Sequence, residues 1–205
     1  MAEPRKGRVV GKAGGSLDQF STWGQGDGSA AKRGKQGEIR TARLLDELAS
    51  RDGGPSILHD LRIPMKGVSA NIDHVVVSGR RVLLLDTKEW KPGFYWTFRG
   101  RSYRGRDRVP HAEKKTMEMA SKAVRGFLER EGVKATVVHP VVAVWPSSNK
   151  KTLNVWALRF PGARVIHADG LGRAVGRVLN SRPWKKWAND NADDDVVNAL
   201  AKLLY

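Results

Sequence analysis

Two apolar runs separated by one glycine-containing turn constrain this chain more than any other feature. Asn71-Ile72-Asp73-His74-Val75-Val76-Val77-Ser78 and Arg81-Val82-Leu83-Leu84-Leu85-Asp86-Thr87-Lys88 are built of β-branched and aliphatic residues and flank Gly79-Arg80. That pattern predicts a β-hairpin. With Gly first, a two-residue turn is of type II′. Ser78 then faces Arg81, and following both strands away from the turn brings Asp73 opposite Asp86. Residues opposed in this way have Cβ atoms about 4.5–5.5 Å apart. Lys88 shares the face of Asp86, because side chains alternate along a strand. A three-residue loop would shift this register, so the pairing is conditional on the turn.

The rest of the chain supplies the layers such a hairpin needs. Residues 1–33 carry seven glycines and few large apolar side chains, and read as a basic, flexible arm. Phe20 and Trp23 are isolated aromatics within it. Regular structure is expected from about Gly34, with a helix over 37–50 whose Ile39, Ala42, Leu45 and Leu48-Ala49 recur at helical spacing. Asp52-Gly53-Gly54-Pro55 stops it. Strands are expected over 56–63, 94–99, 101–109, 136–145, 153–159 and 163–167. Between them Pro110 opens a helix with Met117, Ala120, Val124, Phe127 and Leu128 on one stripe, ended by Gly132. A helix over 170–179, a basic aromatic connector at 182–187 and a last helix behind Asp193-Asp194-Asp195 complete the order. The aspartates suit the positive end of that helix's dipole. This succession predicts an α/β (α+β) fold: a central mixed sheet flanked by helices in one layered domain. It also divides the chain into an arm at 1–33, a domain at 34–180 and a C-terminal connector and helix at 181–205.

Opposed carboxylates within an apolar hairpin repel each other unless something compensates. A divalent cation does so economically, since hard oxygen ligands suit Mg²⁺ or Mn²⁺. A lysine beside such a cation can hold an attacking water or stabilise charge on a phosphoryl oxygen. The alternative is a structural ion pair between Lys88 and one aspartate. Composition bears on the choice. The 205 residues carry 37 Lys+Arg against 21 Asp+Glu, a formal net charge of +16, which points to a polyanionic partner and most simply to nucleic acid. There is no cysteine, which excludes a thiolate zinc site, a disulfide framework and a cysteine nucleophile, and fits a cytoplasmic setting. No run of about 18 apolar residues exists, so no membrane partner is expected. No phosphate-binding loop or His-Glu-x-x-His element is present.

Several segments together resemble one family. Gly37-Glu38 in the first helix, His59-Asp60-Leu61, Ile72-Asp73-His74-Val75-Val76-Val77, Asp86-Thr87-Lys88 with Trp90, and His139-Pro140-Val141-Val142 resemble the NERD (nuclease-related) domain, from about Gly34 to about Asn180. That family belongs to the PD-(D/E)xK nuclease superfamily. The resemblance implies a restriction-endonuclease-like core and metal-dependent phosphodiester cleavage. It also implies one catalytic site of Glu38, Asp73, Asp86 and Lys88, with Asp73, Asp86 and the Thr87 carbonyl near the metal. His59 and Asp60 take supporting positions, and His74 points to the face opposite Asp73. Asp86 stands where relatives more usually carry Glu, Glu89 where an Asn commonly follows the lysine, and residues 110–115 where relatives often supply a Gln.

Beyond this set, Lys91, Arg99, Arg101, Arg104, Arg106 and Arg108 are interleaved with Phe94, Tyr95, Trp96, Phe98 and Tyr103, with Asp107 the one acid among them. Arginine forks onto phosphates, while aromatic rings stack on bases or pack a core. Lys91, Trp96 and the five arginines are the candidate nucleic-acid contacts. The leading function is therefore a Mg²⁺- or Mn²⁺-dependent nuclease, DNA being favoured over RNA. The rival is a non-catalytic nucleic-acid-binding module on the same scaffold.

Overall fold

A computed structural model describes residues 5–15, 28–148, 152–179 and 193–204. The expected aromatics Phe20 and Trp23 and the connector at 182–187 lie outside the described residues. The elements in chain order are β1 (Val9–Val10), α1 (Gly28–Ala49), β2 (Ser56–Arg62), β3 (Asn71–Ser78), β4 (Arg81–Trp90), β5 (Gly93–Phe98), β6 (Arg101–Arg104) and β7 (Asp107–Arg108). After a 3-10 turn at Pro110–Glu113 come α2 (Thr116–Arg130), β8 (Thr136–Val137), β9 (Val141–Pro146), β10 (Leu153–Ala157), β11 (Arg164–His167), α3 (Leu171–Leu179) and α4 (Asp194–Ala201). This is an α+β fold built on a mixed sheet, as the element order predicts.

The main sheet runs β1-β2-β3-β4-β9-β11, with β8 pairing β4 beside β9. The hairpin holds the expected register: Ser78 pairs Arg81, and the ladder continues through Val77–Val82 and Val75–Leu84 to His74–Leu85. Gly79 has φ 52°, whereas Arg80 does not take a positive φ, which is the type II′ arrangement. Ile72 to Val77 are all buried. One face packs Ile57, Val76, Leu83, Leu85, Val141 and Ala143 against α1 and α3 through Leu45, Leu48, Leu171 and Val175. The other sets Leu58, Val75, Leu84, Val142 and Val144 in one cluster with Met117, Val124 and Leu128 of α2 and Val196 and Leu200 of α4. Fully burying each such side chain contributes about 1.5–3 kcal/mol, and burial on both faces explains why β3 and β4 lack alternation.

Several boundaries differ from the sequence-based expectation for local reasons. Helix α1 starts at Gly28 rather than at 37. Ala30-Ala31-Lys32-Arg33 are strong helix formers that carry it through the glycines. The strand expected over 136–145 is two strands, broken at Pro140, which has no N–H to donate. The run 101–109 turns back at Gly105, with φ 58°, to give β6 and β7. Pro110 starts a 3-10 turn rather than α2 itself. Within the stretch read as an arm, Val9 and Val10 pair in parallel with Ile57 and Leu58, so this part lies along the sheet edge.

A second, four-stranded sheet, β10-β5-β6-β7, projects from the end of β4. Its β5–β6 hairpin turns at Arg99-Gly100, both with positive φ, 46° and 74°. Among the described residues no helix is long and apolar enough to cross a membrane.

Candidate active site

Asp73 stands where the ladders on both sides of it open. The β2–β3 pairing runs to His59–His74 and resumes at Leu61–Ile72, skipping Asp60, whose φ of 59° lies in the left-handed region. That conformation costs a non-glycine residue about 1–2 kcal/mol, least for Asp and Asn. It persists here with the Asn71 side-chain amide donating to Asp60 Oδ1 at 2.8 Å. Strain of this kind tends to collect at functional sites. On the other side the β3–β4 ladder ends at His74–Leu85. In place of the next rung, Asp73 Oδ2 accepts a hydrogen bond from the Thr87 N–H at 2.7 Å.

Next to this gap β4 presents Asp86, Thr87 and Lys88. The Lys88 ammonium donates to Asp86 Oδ1 at 2.8 Å and to the Thr87 carbonyl at 3.3 Å. Its side chain remains 43% exposed, whereas Asp86 is 14% exposed. Thr87 points to the α1 side, where its hydroxyl donates to Thr41 Oγ1 at 3.1 Å. Trp145 Nε1 donates to the same oxygen at 2.9 Å. This knot ties α1 to β4 and β9, three residues along α1 from Glu38.

Electrostatics show which charges share the space. Burial pushes Asp73 well above the usual carboxylate range; Asp86 and Glu38 push the same way, opposed by Lys88 and by the Thr87 N–H. Burial likewise raises Glu38 to about 7; Lys88 opposes the rise, Asp60 and Asp86 add to it, and the Gly14 N–H bonds the carboxylate. For Lys88, burial alone would lower the pKa, but Asp86, Asp73 and Glu38 hold it above its ordinary value. Asp86, Asp73 and Glu38 thus act on one lysine, and Asp60 acts on Glu38 beside them.

The four residues expected to form the site are therefore brought together, and Thr87 places its carbonyl beside them. Among the described residues no three His, Asp or Glu side chains stand in a ready-made metal cluster. The expected donor set is different: two carboxylates and a backbone carbonyl, all hard oxygens of the kind Mg²⁺ and Mn²⁺ take. Lys88 Nζ bridges two of those three donors, Asp86 and the Thr87 carbonyl. The hard-oxygen donors and this bridged pair fit a divalent cation.

His59 and His74 do not join the site. His59 Nδ1 lies 2.8 Å from His74 Nδ1, and His59 Nε2 lies 3.0 Å from Asp46 of α1. Burial, and then His59, lower the His74 pKa well below the ordinary range, so that ring is a neutral, packed histidine. Asp60 was expected in a supporting position, whereas residues 14–15 and His111 were not singled out in the sequence. Asp60 falls opposite Asp73 once the β2–β3 register is known. A Cβ on Gly15 would come within 2.9 Å of Asp60 Oδ2, so residues 14 and 15 lie against the acidic cluster. His111, edge-on to Trp90 at 5.5 Å, has its pKa lowered by burial, then by Lys114 and Lys88. Its place after the hairpin gave no spacing signal.

The candidate nucleic-acid residues occupy the second sheet. Lys91, Arg99, Arg101 and Arg106 are exposed. Arg104 is paired with Asp107 at 3.2 Å and Arg108 with Glu113 at 2.9 Å. Trp96 stacks on Tyr103 with centroids 4.9 Å apart and donates through Nε1 to the Gly105 carbonyl.

No curated protein and no solved structure matches the chain. A match to the nuclease-related domain family covers residues 33–145, more than half of the 205, ending at β9 rather than near Asn180. It takes in Glu38, Asp73, Asp86, Thr87 and Lys88 together with the helix, hairpin and strands that hold them. The chain belongs to the nuclease-related domain (NERD) family, within the PD-(D/E)xK nuclease superfamily.

Proposed function

We propose that this protein is a Mg²⁺- or Mn²⁺-dependent nuclease that hydrolyses phosphodiester bonds, with DNA as the favoured substrate. The observation that carries the reading is the meeting of one lysine with Asp86, the Thr87 carbonyl and the buried acids Asp73 and Glu38 at an opening in the sheet. Asp73, Asp86 and the Thr87 carbonyl would hold the cation, which supplies Lewis-acid polarisation of the phosphate. Lys88 keeps its proton and offers an ammonium to orient water or to stabilise charge on a phosphoryl oxygen. Glu38, with a pKa of about 7, offers a carboxylate oxygen able to take up or return a proton near neutrality. Lys91 and the arginines of the second sheet would hold the phosphate backbone, and the basic residues among 1–33 would add positive charge to a domain spanning 34–180. A cysteine-free chain suits the cytoplasm.

The test compares purified wild-type protein with Lys88→Ala on linear, circular and single-stranded DNA and on RNA, with Mg²⁺, Mn²⁺ or EDTA. Metal-dependent cutting that Lys88→Ala abolishes is expected. Binding with no cutting of any substrate would favour the non-catalytic module, for which the Lys88–Asp86 ion pair is a purely structural contact.

A further inference from the structure

The second sheet has an outer face that its charged residues alone do not explain. On β5 the side chains of Phe94, Trp96 and Phe98 point one way, and Tyr95 points inward to stack on Trp90 at 5.0 Å. Register places Tyr103 beside Trp96, Arg101 beside Phe98 and Arg108 beside Tyr103 on the same face. From the parallel neighbour β10, Trp156 joins them, its ring centroid 5.8 Å from that of Phe94. Trp156 is 79% exposed, Phe98 55% and Phe94 42%. Only Val9 and Met65 among the described residues are large apolar side chains of comparable exposure, so three of five fall on this face. Tryptophan is usually well buried, and clustered exposure of rings marks an interaction surface.

The charge around the rings identifies what covers them. Arg99 lies over Phe98 with its guanidinium carbon 5.3 Å from the ring centroid. Beyond Trp156 a groove of about 930 Å³ carries Arg159, Arg164, Arg173 and Arg177 against Asp169 alone. A ring face bordered by arginine complements a ligand with flat apolar surfaces and an anionic backbone. In a duplex the base faces are already stacked inside, leaving such rings nothing to contact. We propose that this face, centred on Trp156 and Phe94, binds an unpaired polynucleotide strand by stacking its bases, with the arginines taking the phosphates. The proposal rests on the nucleic-acid reading above and deepens it: the substrate has single-stranded character. Phe94 lies six residues beyond Lys88, at most about 20 Å along an extended chain.

The experiment is anisotropy of labelled oligonucleotides (an oligo-dT, an oligo-rU, a duplex of equal length and an abasic strand) in EDTA, where nothing is cut. Wild-type protein is expected to bind dT or rU more tightly than duplex. Trp156→Ala should weaken that binding by roughly 5- to 150-fold, the range of one base stack. Trp156→Phe should restore most of it, and the abasic strand should bind wild type and Trp156→Ala alike. Loss of affinity for either the dT or the rU strand on removing the ring supports the proposal. Unchanged binding by both Trp156→Ala and Phe94→Ala, or an equal loss on the abasic strand, overturns it. Because binding is read without metal, failure here is separable from failure of the nuclease reading: a protein that cuts nothing can still lose its strand with Trp156, and one that cuts can keep it.

Discussion

The raised pKa of Glu38 makes the metal-free protein carry a pH-dependent instability that one substitution should remove. The carboxylate titrates near 4.5 in an unfolded chain and near 7 in the fold. Below pH 4.5 it is protonated in both states and has no effect on stability. Between 4.5 and 7 the unfolded chain releases the proton while the folded one retains it, so stability falls as pH rises. Above 7 both are ionised and the loss is complete. A difference of about 2.5 units at 1.36 kcal/mol each amounts to about 3 kcal/mol. Glu38→Gln has the shape of the protonated acid at every pH and should be free of this loss. For a chain of this size about 3 kcal/mol corresponds to about 6–12 °C in Tm. Thermal unfolding in EDTA should therefore find the two proteins alike at pH 4.5 and Glu38→Gln ahead by that amount at pH 8. Mg²⁺ should narrow the gap at pH 8, since a cation favours the ionised acid and binds only the folded state. A difference that stays flat with pH, or a wild type that is the more stable at pH 8 in EDTA, would refute the reasoning.

Other consequences can be read at single residues. Lys88→Met removes the ammonium that bridges Asp86 Oδ1 and the Thr87 carbonyl, and should tighten Mn²⁺ binding on the order of tenfold by calorimetry while abolishing cleavage. Metal uptake by wild type at pH 6 should release protons, since Glu38 is then mostly protonated, and buffers of different ionisation heat will reveal them. Neutralising exposed Arg101 and Arg106 together should lower the slope of log K against log salt by up to about 1.5 on single strands. Leu85→Ala, at a fully buried position between β3, β9 and α3, should lower unfolding free energy by about 2–5 kcal/mol in urea melts.

Much of the architecture is legible because local chemistry dictates it. Gly79 followed by a residue that stays at negative φ fixes a two-residue turn, and the turn fixes the register from Ser78–Arg81 to His74–Leu85. The pairing of Asp73 with Asp86 could be expected from that alone. It could not be seen that the ladder stops just there, with the Thr87 N–H donating to the Asp73 side chain, or that Asp60 in the neighbouring strand adopts φ 59°. Glu38 is legible only through its motif, since its approach depends on where α1 crosses β4, a matter of the Thr41–Thr87–Trp145 contacts. Residues 5–15 resemble any glycine-rich arm in composition, and only pairing with β2 distinguishes them. Trp156 is silent in sequence for a similar reason: Leu153 to Ala157 alternates, but nothing local says which face is left uncovered.

The central claim is that Asp73, Asp86 and Lys88 form a metal-dependent hydrolytic site. Gel analysis of end-labelled single-stranded and duplex DNA incubated with wild type and Asp86→Ala, in Mn²⁺, Mg²⁺ and EDTA, tests it most directly. The account predicts fragments from wild type with metal, and none with EDTA or from the variant. Cleavage that persists in EDTA, or that Asp86→Ala retains at the wild-type rate, would contradict it.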